Sequence, residues 1–183
     1  WLDATGKHAD KKPTADDYAE FISDPAKPVP YIDKIGIGMD RDYPTADQRF
    51  AGRRPDVLVY STDVLTSDWN VAGPIDVELV VSTTGTDADW IVRLIDVHPE
   101  ADAKPADMAG FQQLIAGEPL QARFRKGYEK PEAVPAGEVE EYGIDLNWGH
   151  HRFKRGHRIM IQVSGSWFPV IDRNPQTFVE NIW

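Results

Sequence analysis

The sequence predicts an all-β sandwich or jelly roll behind an irregular N-terminal connector. Three observations point to it. Apolar residues recur with a period of two in separate segments between residues 56 and 164, as strands with one buried face require. The 14 glycines and 14 prolines are spread along the chain as punctuation, which fits many short strands joined by turns. No strand–helix–strand rhythm is present, and no repeat of roughly 20–50 residues marks a solenoid or propeller.

Residues 1–50 form the connector. Lys11–Asp17 is polar and broken by Pro13. Asp24–Pro30 holds three prolines and cannot be helical, because each removes a donor and pushes its predecessor to extended geometry. Thr14 is placed to cap one helical turn running through Phe21, with Asp16 and Asp17 in its first turn. Trp1, Tyr18, Phe21 and Tyr31 need a surface to lie on. The β domain is expected over residues 51–183. Its strand segments are Asp56–Thr62, Ile75–Ser82, Trp90–Val97, Pro119–Arg125, Val139–Leu146 and Arg158–Ser164. In the second, Ile75, Val77 and Leu79 share one face and Asp76 and Glu78 the other. Met108–Ile115 is the one weak helix signal in this half.

Composition excludes several classes. The 30 acidic residues outnumber the 20 basic ones, for a net charge of −10. A nucleic-acid binder needs a basic face to displace counterions from phosphate. There is no apolar run long enough for a membrane-spanning helix, and the start at Trp1–Ala4 has no leader pattern. Without cysteine there are no disulfides or thiolate sites, and a secreted, periplasmic or cytoplasmic setting is equally compatible. The 6 Trp, 6 Tyr and 7 Phe suffice for a packed core.

Catalytic motifs are missing. The serines are Ser23, Ser61, Ser67, Ser82, Ser164 and Ser166, and none sits in a Gly-x-Ser-x-Gly elbow. Ser164 and Ser166 flank Gly165 at a strand end, where a turn explains them better than a nucleophile does. His150 and His151 adjoin in a strand and point to opposite faces, so with His157 they make no zinc pattern. Asp87-Ala88-Asp89 opens like a calcium loop but lacks its later glycine and glutamate, and is expected to be a solvated acidic turn. Lys154–Arg158 is a basic cluster suited to an acidic partner surface. No cofactor and no metal is expected.

Five ordered motifs carry a resemblance. They are Arg54–Thr62 (Arg-Pro-Asp-Val-Leu-Val-Tyr-x-Thr), Leu65–Pro74 (Leu-x-x-Asp-x-x-Val-x-Gly-Pro) and Thr86–Trp90 followed by Leu94–Pro99. His151–Ile159 (His-x-Phe-x-x-Gly-His-Arg-Ile) and Phe168–Gln176 complete them. In these the chain, from about Asp24 onward, is similar to the C-terminal jelly-roll domain of the cocaine esterase and X-prolyl dipeptidyl-peptidase-like serine hydrolases. Asp24–Tyr31, Ser82–Gly85 and the Asn174–Phe178 ending look most like α-amino acid ester hydrolases and glutaryl cephalosporin acylases.

The resemblance implies a galactose-binding-like β-sandwich that carries no triad. In that family the catalytic residues belong to an N-terminal α/β-hydrolase domain, so the chain is expected to be one piece of a longer enzyme. Its partner would be that domain, with homo-oligomer contacts as a second use and neither nucleic acid nor membrane involved. The matched residues have structural or interface roles in this reading. Asp96 and Arg158 are expected to pair across strands. Gly73 and Gly156 supply positive φ at turns. Asp172, Arg173 and Asn174 form an Asx-type turn, with His157, Asp68, Trp69, Trp167 and Phe168 as further interface or structural candidates. The competing class is a carbohydrate-binding jelly-roll module using Trp69, Trp148 or Trp167 as a stacking platform. The weakest reading is an independent enzyme built on Ser164 or Ser166.

Overall fold

In the computed structural model, residues 1–3, 6–7, 18–100 and 108–180 are described. Six strands dominate them: β1 (Val57–Ser61), β2 (Trp69–Val81), β3 (Asp89–Val97), β4 (Gln112–Gln121), β5 (Glu140–Phe153) and β6 (Arg158–Ser164). One four-residue helix, α1 (Arg49–Gly52), and short 3-10 turns at Tyr43–Thr45 and Ala122–Phe124 complete the regular structure. All strand pairings are antiparallel, in a four-stranded sheet of order β1-β6-β3-β4 and a two-stranded sheet of β2 and β5. This is the all-β sandwich the periodicity predicts.

The core lies between the sheets. Trp90, Val92 and Leu94 of β3 and Val163 of β6 meet Leu79 of β2 and Tyr142, Ile144, Leu146 and Phe153 of β5. These are alternate positions on each strand, so one face of each sheet supplies them. At β5 the alternation shifts at Asn147, whose φ is 68°.

The opposite face of the four-stranded sheet is covered as well, which explains why every β3 residue except the last is buried. The described part of the connector does the covering. Val29, Ala51 and Val57 form one small cluster, and Tyr31, Ile32, Ile91 and Trp167 another. The Val29 carbonyl accepts from the Phe168 N–H, and the Phe168 carbonyl from the Tyr31 N–H, both at 2.9 Å. Tyr43 closes the stack with its ring 5.3 Å from Tyr31 and 5.9 Å from Trp167. At the edge of the sheet Lys7 bridges to Ser61 of β1.

Three expectations need correcting. Met108–Ile115 is not an α-helix: from Met108, which is in 3-10 conformation, the chain turns into β4, which starts at Gln112 and ends at Gln121. β3 offers it a full ladder of partners, which overrides a weak local preference, and the chain beyond Gln121 turns rather than continuing as a strand. β2 and β5 run six or seven residues beyond their alternating stretches, through Trp69–Pro74 and Asn147–Phe153, because each pairs the other there. Residues 18–21 are not helical, and the proposed cap at Thr14 lies outside the described residues.

Candidate functional site

The chemistry-bearing side chains gather at the two ends of β3. At its far end Asp96 is 2% exposed and points into the gap between the sheets. Its Oδ1 lies 2.8 Å from His157 Nδ1, and its Oδ2 lies 2.8 Å from His151 Nε2. His151 comes from the inner face of β5, so the bond ties one sheet to the other. His98, two residues beyond Asp96, sets its ring 4.6 Å from that of His157 and its Nε2 3.2 Å from Gln113 Oε1. The expected Asp96–Arg158 ion pair does not form. The ladder sets Ile159 opposite Asp96 and Arg158 opposite Val97, so Arg158 points to the other face, where it is exposed.

The near end is closed by different chemistry. Asp87 is fully buried and pairs with Arg123, which also donates to the Val179 carbonyl at 3.0 Å and packs over the Phe178 ring. Asp89 is 2% exposed and accepts from Asn174 Nδ2 at 2.9 Å. Burial pushes its carboxyl up to about 7, against the pull of the Asn174 hydrogen bond. The solvated acidic turn expected at Asp87–Asp89 is therefore a buried polar cluster. Its closing cation lies some thirty-five residues away in sequence, outside any local pattern.

Several of the remaining predicted residues make contacts within this chain. Asn174 Oδ1 accepts from the Gln176 N–H at 2.7 Å, so the Asx turn is centred on Asn174 rather than Asp172. Arg173 lies over the Phe168 ring at 5.5 Å. Asp68 accepts from the Arg155 N–H at 2.9 Å, beside Asn70, which accepts from Arg152 Nε at 2.9 Å. Gly156 has a φ of 89° at the turn between β5 and β6, as expected, whereas Gly73, with a φ of 137°, lies inside β2 opposite Gly149, beside the register shift at Pro74–Asp76, and not at a turn. Ser164 is fully buried and accepts from Arg93, while Ser166 accepts from the Val29 N–H at 2.8 Å. Both hydroxyls are thus committed to backbone or arginine, and neither is set up as a nucleophile. Arg93 is itself buried without a carboxylate, and burial pulls its guanidinium down to about 10.

Sequence reasoning missed His98, His151, Arg123 and Asp87 as partners. A usable signal existed for two of them. His98 stands two residues from Asp96 just past the strand end, and His151 lies on the same face of β5 as Phe153. The cleft lined by Val81, Trp90, Val134 and Tyr142 is too narrow to admit a small molecule.

The fold and its side chains define a β-sandwich with a buried polar cluster at each end of β3. The chain belongs to the X-Pro dipeptidyl-peptidase C-terminal non-catalytic domain family, matched over residues 6–181. It is 37% identical over 157 residues to the cocaine esterase of Rhodococcus sp. (strain MB1 Bresler), covering 86% of this chain and 26% of that protein. Among solved structures, an aminopeptidase from a marine sediment Thaumarchaeota archaeon superposes with a TM-score of 0.93 and 38% identity, over 99% of this chain and 31% of that one. An α-amino acid ester hydrolase gives a TM-score of 0.93 and 39% identity, over 99% and 30%. The chain spans about a quarter to a third of the length of these relatives. The carbohydrate-binding alternative is not favoured. Trp167 is 5% exposed, and Trp69 and Trp148 lie on opposite faces of the β2–β5 ladder, where they cannot form one platform.

Proposed function

We propose that this chain is the accessory C-terminal domain of a serine hydrolase acting on esters, amides or X-Pro peptides, and that it covers one flank of the catalytic domain. The observation that carries the reading is the match along almost the whole chain to a non-catalytic domain, with similarity to about a third of each hydrolase relative. The surface supports it. Ile35, Ile37 and Met39 stand on an exposed loop, the two isoleucines entirely open to solvent. The loop is held at its base, where the Asp40 N–H donates to Tyr31 Oη at 2.6 Å and Lys34 pairs with Asp40. An apolar loop so braced is a contact surface awaiting a partner. Of the aromatics expected to dock, Phe21, Tyr31 and Trp167 are instead packed into this chain's own clusters. Trp1, Tyr18 and Phe168 remain exposed, and Trp183 lies outside the described residues. Arg152, Lys154 and Arg155 add a basic edge for acidic groups of the partner, and homo-oligomer contacts are a second use of the same surfaces.

Hydrogen exchange tests the docking. The expected result is protection at residues 33–40 that rises when the chain is part of the complete polypeptide. Identical protection in both would overturn it. The chain alone is expected to be silent toward p-nitrophenyl and phenylglycine esters. Rapid hydrolysis abolished by a serine-directed inhibitor would show that it carries its own active site.

A further inference from the structure

The far end of β3 holds more nitrogen than a structural clasp needs. One histidine would satisfy Asp96 and tie the sheets together, yet three imidazoles surround this carboxylate. Asp96, His98 and His157 each offer one ligand atom, and the three atoms lie within 4.8 Å of one another. We propose that Asp96, His98 and His157 form a binding site for one divalent transition-metal ion of the zinc type, with His151 steadying the carboxylate from the opposite sheet. The inference is independent of the hydrolase reading.

The donor set selects the ion class. Two imidazoles and one carboxylate suit zinc and its borderline neighbours, whereas calcium and magnesium require oxygen ligands throughout. The ligands also sit on fixed backbone. Asp96 lies within the β3 ladder, and His98 follows it with its N–H donating to the Phe111 carbonyl at 2.9 Å. His157 is pinned at both its backbone groups, its N–H donating to Lys154 and its carbonyl accepting from Leu65, at 3.0 and 2.8 Å. Binding needs two movements, an opening between Asp96 and His157 and a closing of His98 onto the ion from within 4.8 Å. Asp96 and His157 are 2.8 Å apart across a hydrogen bond, and ligands bonded tetrahedrally to zinc at ~2.0 Å stand about 3.3 Å apart. The ion takes the place of the shared proton after an opening of about half an ångström.

An outer layer of partners is already in place. His151 holds the second oxygen of Asp96, and Gln113 holds His98. Partners of this kind orient metal ligands and tune their affinity. Asp96 and His157 are buried while His98 is half-buried, which leaves an entry from solvent. The spacing differs from the His150, His151 and His157 set weighed from sequence, because only His151 of the adjacent pair faces inward.

The test is titration of the full 183-residue chain, made without a histidine tag, with Zn2+ and then with Co2+. One Zn2+ per chain in the micromolar range or tighter is expected, with a visible Co2+ band of low-coordinate character and no response to Ca2+. His98→Gln, half-buried and therefore safe for the fold, should weaken Zn2+ binding about 10- to 100-fold. Asp96→Asn and His157→Gln should do the same where circular dichroism shows them folded. His150→Gln, on the exposed face, should bind as the parent does. Absence of saturable Zn2+ binding in the micromolar range would overturn the proposal. So would unchanged binding in His98→Gln, or an equal loss in His150→Gln, which would put the ion on the exposed histidines.

Discussion

At the start of β3, Asp87 and Asp89 are closed in by Arg123 and Asn174. At its end, roughly 23 Å along the strand, Asp96 is closed in by His151 and His157. Both ends bury carboxylates inside the same sandwich, so burial alone does not distinguish them. The partners do. A guanidinium and an amide nitrogen offer fixed donors, and they lock a carboxylate in place. An imidazole offers a donor or an acceptor according to its tautomer, so the far end can trade its proton for another cation. The first arrangement builds a permanent plug, the second an exchangeable clasp.

The largest expected effect breaks the plug. Arg123→Met keeps the side-chain volume but leaves Asp87 as a fully buried carboxylate without its cation. Loss of one member of a buried pair costs about 3–5 kcal/mol. Urea unfolding of the variant should show that loss in its midpoint, and a change below about 1 kcal/mol would mean that Asp87 finds water or another donor.

Asp89 gives a pH signature at the same end. Its carboxyl titrates near 7 in the fold and near 4 in the unfolded chain. Below about pH 4 it is protonated in both states and costs nothing. Between about 4 and 7 the unfolded chain has lost the proton while the folded chain retains it, so this group's contribution falls as pH rises and is flat above. Asp89→Asn removes the group. The variant should gain on the parent progressively across that interval, by roughly 4 kcal/mol at most above pH 7. A stability difference that does not change with pH would show that Asp89 titrates normally.

The two ends also differ in how readable they were. The strands around them follow from local pattern: β1, β3 and β6 begin and end within a residue or two of their apolar runs. The far-end residues lie in motifs that mark Asp96 and His157, but Asp96 bonds His151 and His157 rather than the Arg158 that the sequence suggests. The period-two rule, with the observed register, sends Arg158 outward and His151 inward. At the near end the acids looked like a surface turn, since Arg123 is distant in sequence and only the closure of β3 on β4 brings it alongside. β4 was hidden for a related reason. Both faces of its sheet are covered, so Gln112–Gly117 shows no alternation to betray a strand.

Asp96→Asn tests the clasp with a smaller change. The amide keeps one acceptor oxygen for one histidine, but its nitrogen faces the other. One hydrogen bond to a charged group is lost, at about 1.5–3 kcal/mol. That is less than the loss expected for Arg123→Met, and an equal or larger cost would reverse the ranking of the two ends.

The smallest effect comes from the adjacent pair His150 and His151, which serve as each other's control. Both sit in β5 with similar backbone, opposite Ala72 and Val71 of β2. His151 faces inward, bonds Asp96 across the sheets and stands edge-on to Phe153 with ring centroids 4.7 Å apart. His150 faces out and is exposed. Glutamine at either position keeps a polar side chain of similar length and disturbs β5 equally, so strand propensity cancels in the comparison. His151→Gln should cost about 1 kcal/mol, the ordinary worth of one intramolecular hydrogen bond. His150→Gln should stay within about 0.5 kcal/mol, as surface changes do. Both are read as urea midpoints at unchanged slope. Equal costs would mean that the bond from His151 to Asp96 adds nothing to the docking of the two sheets, and that the far end is held by the apolar contacts of Phe153 alone.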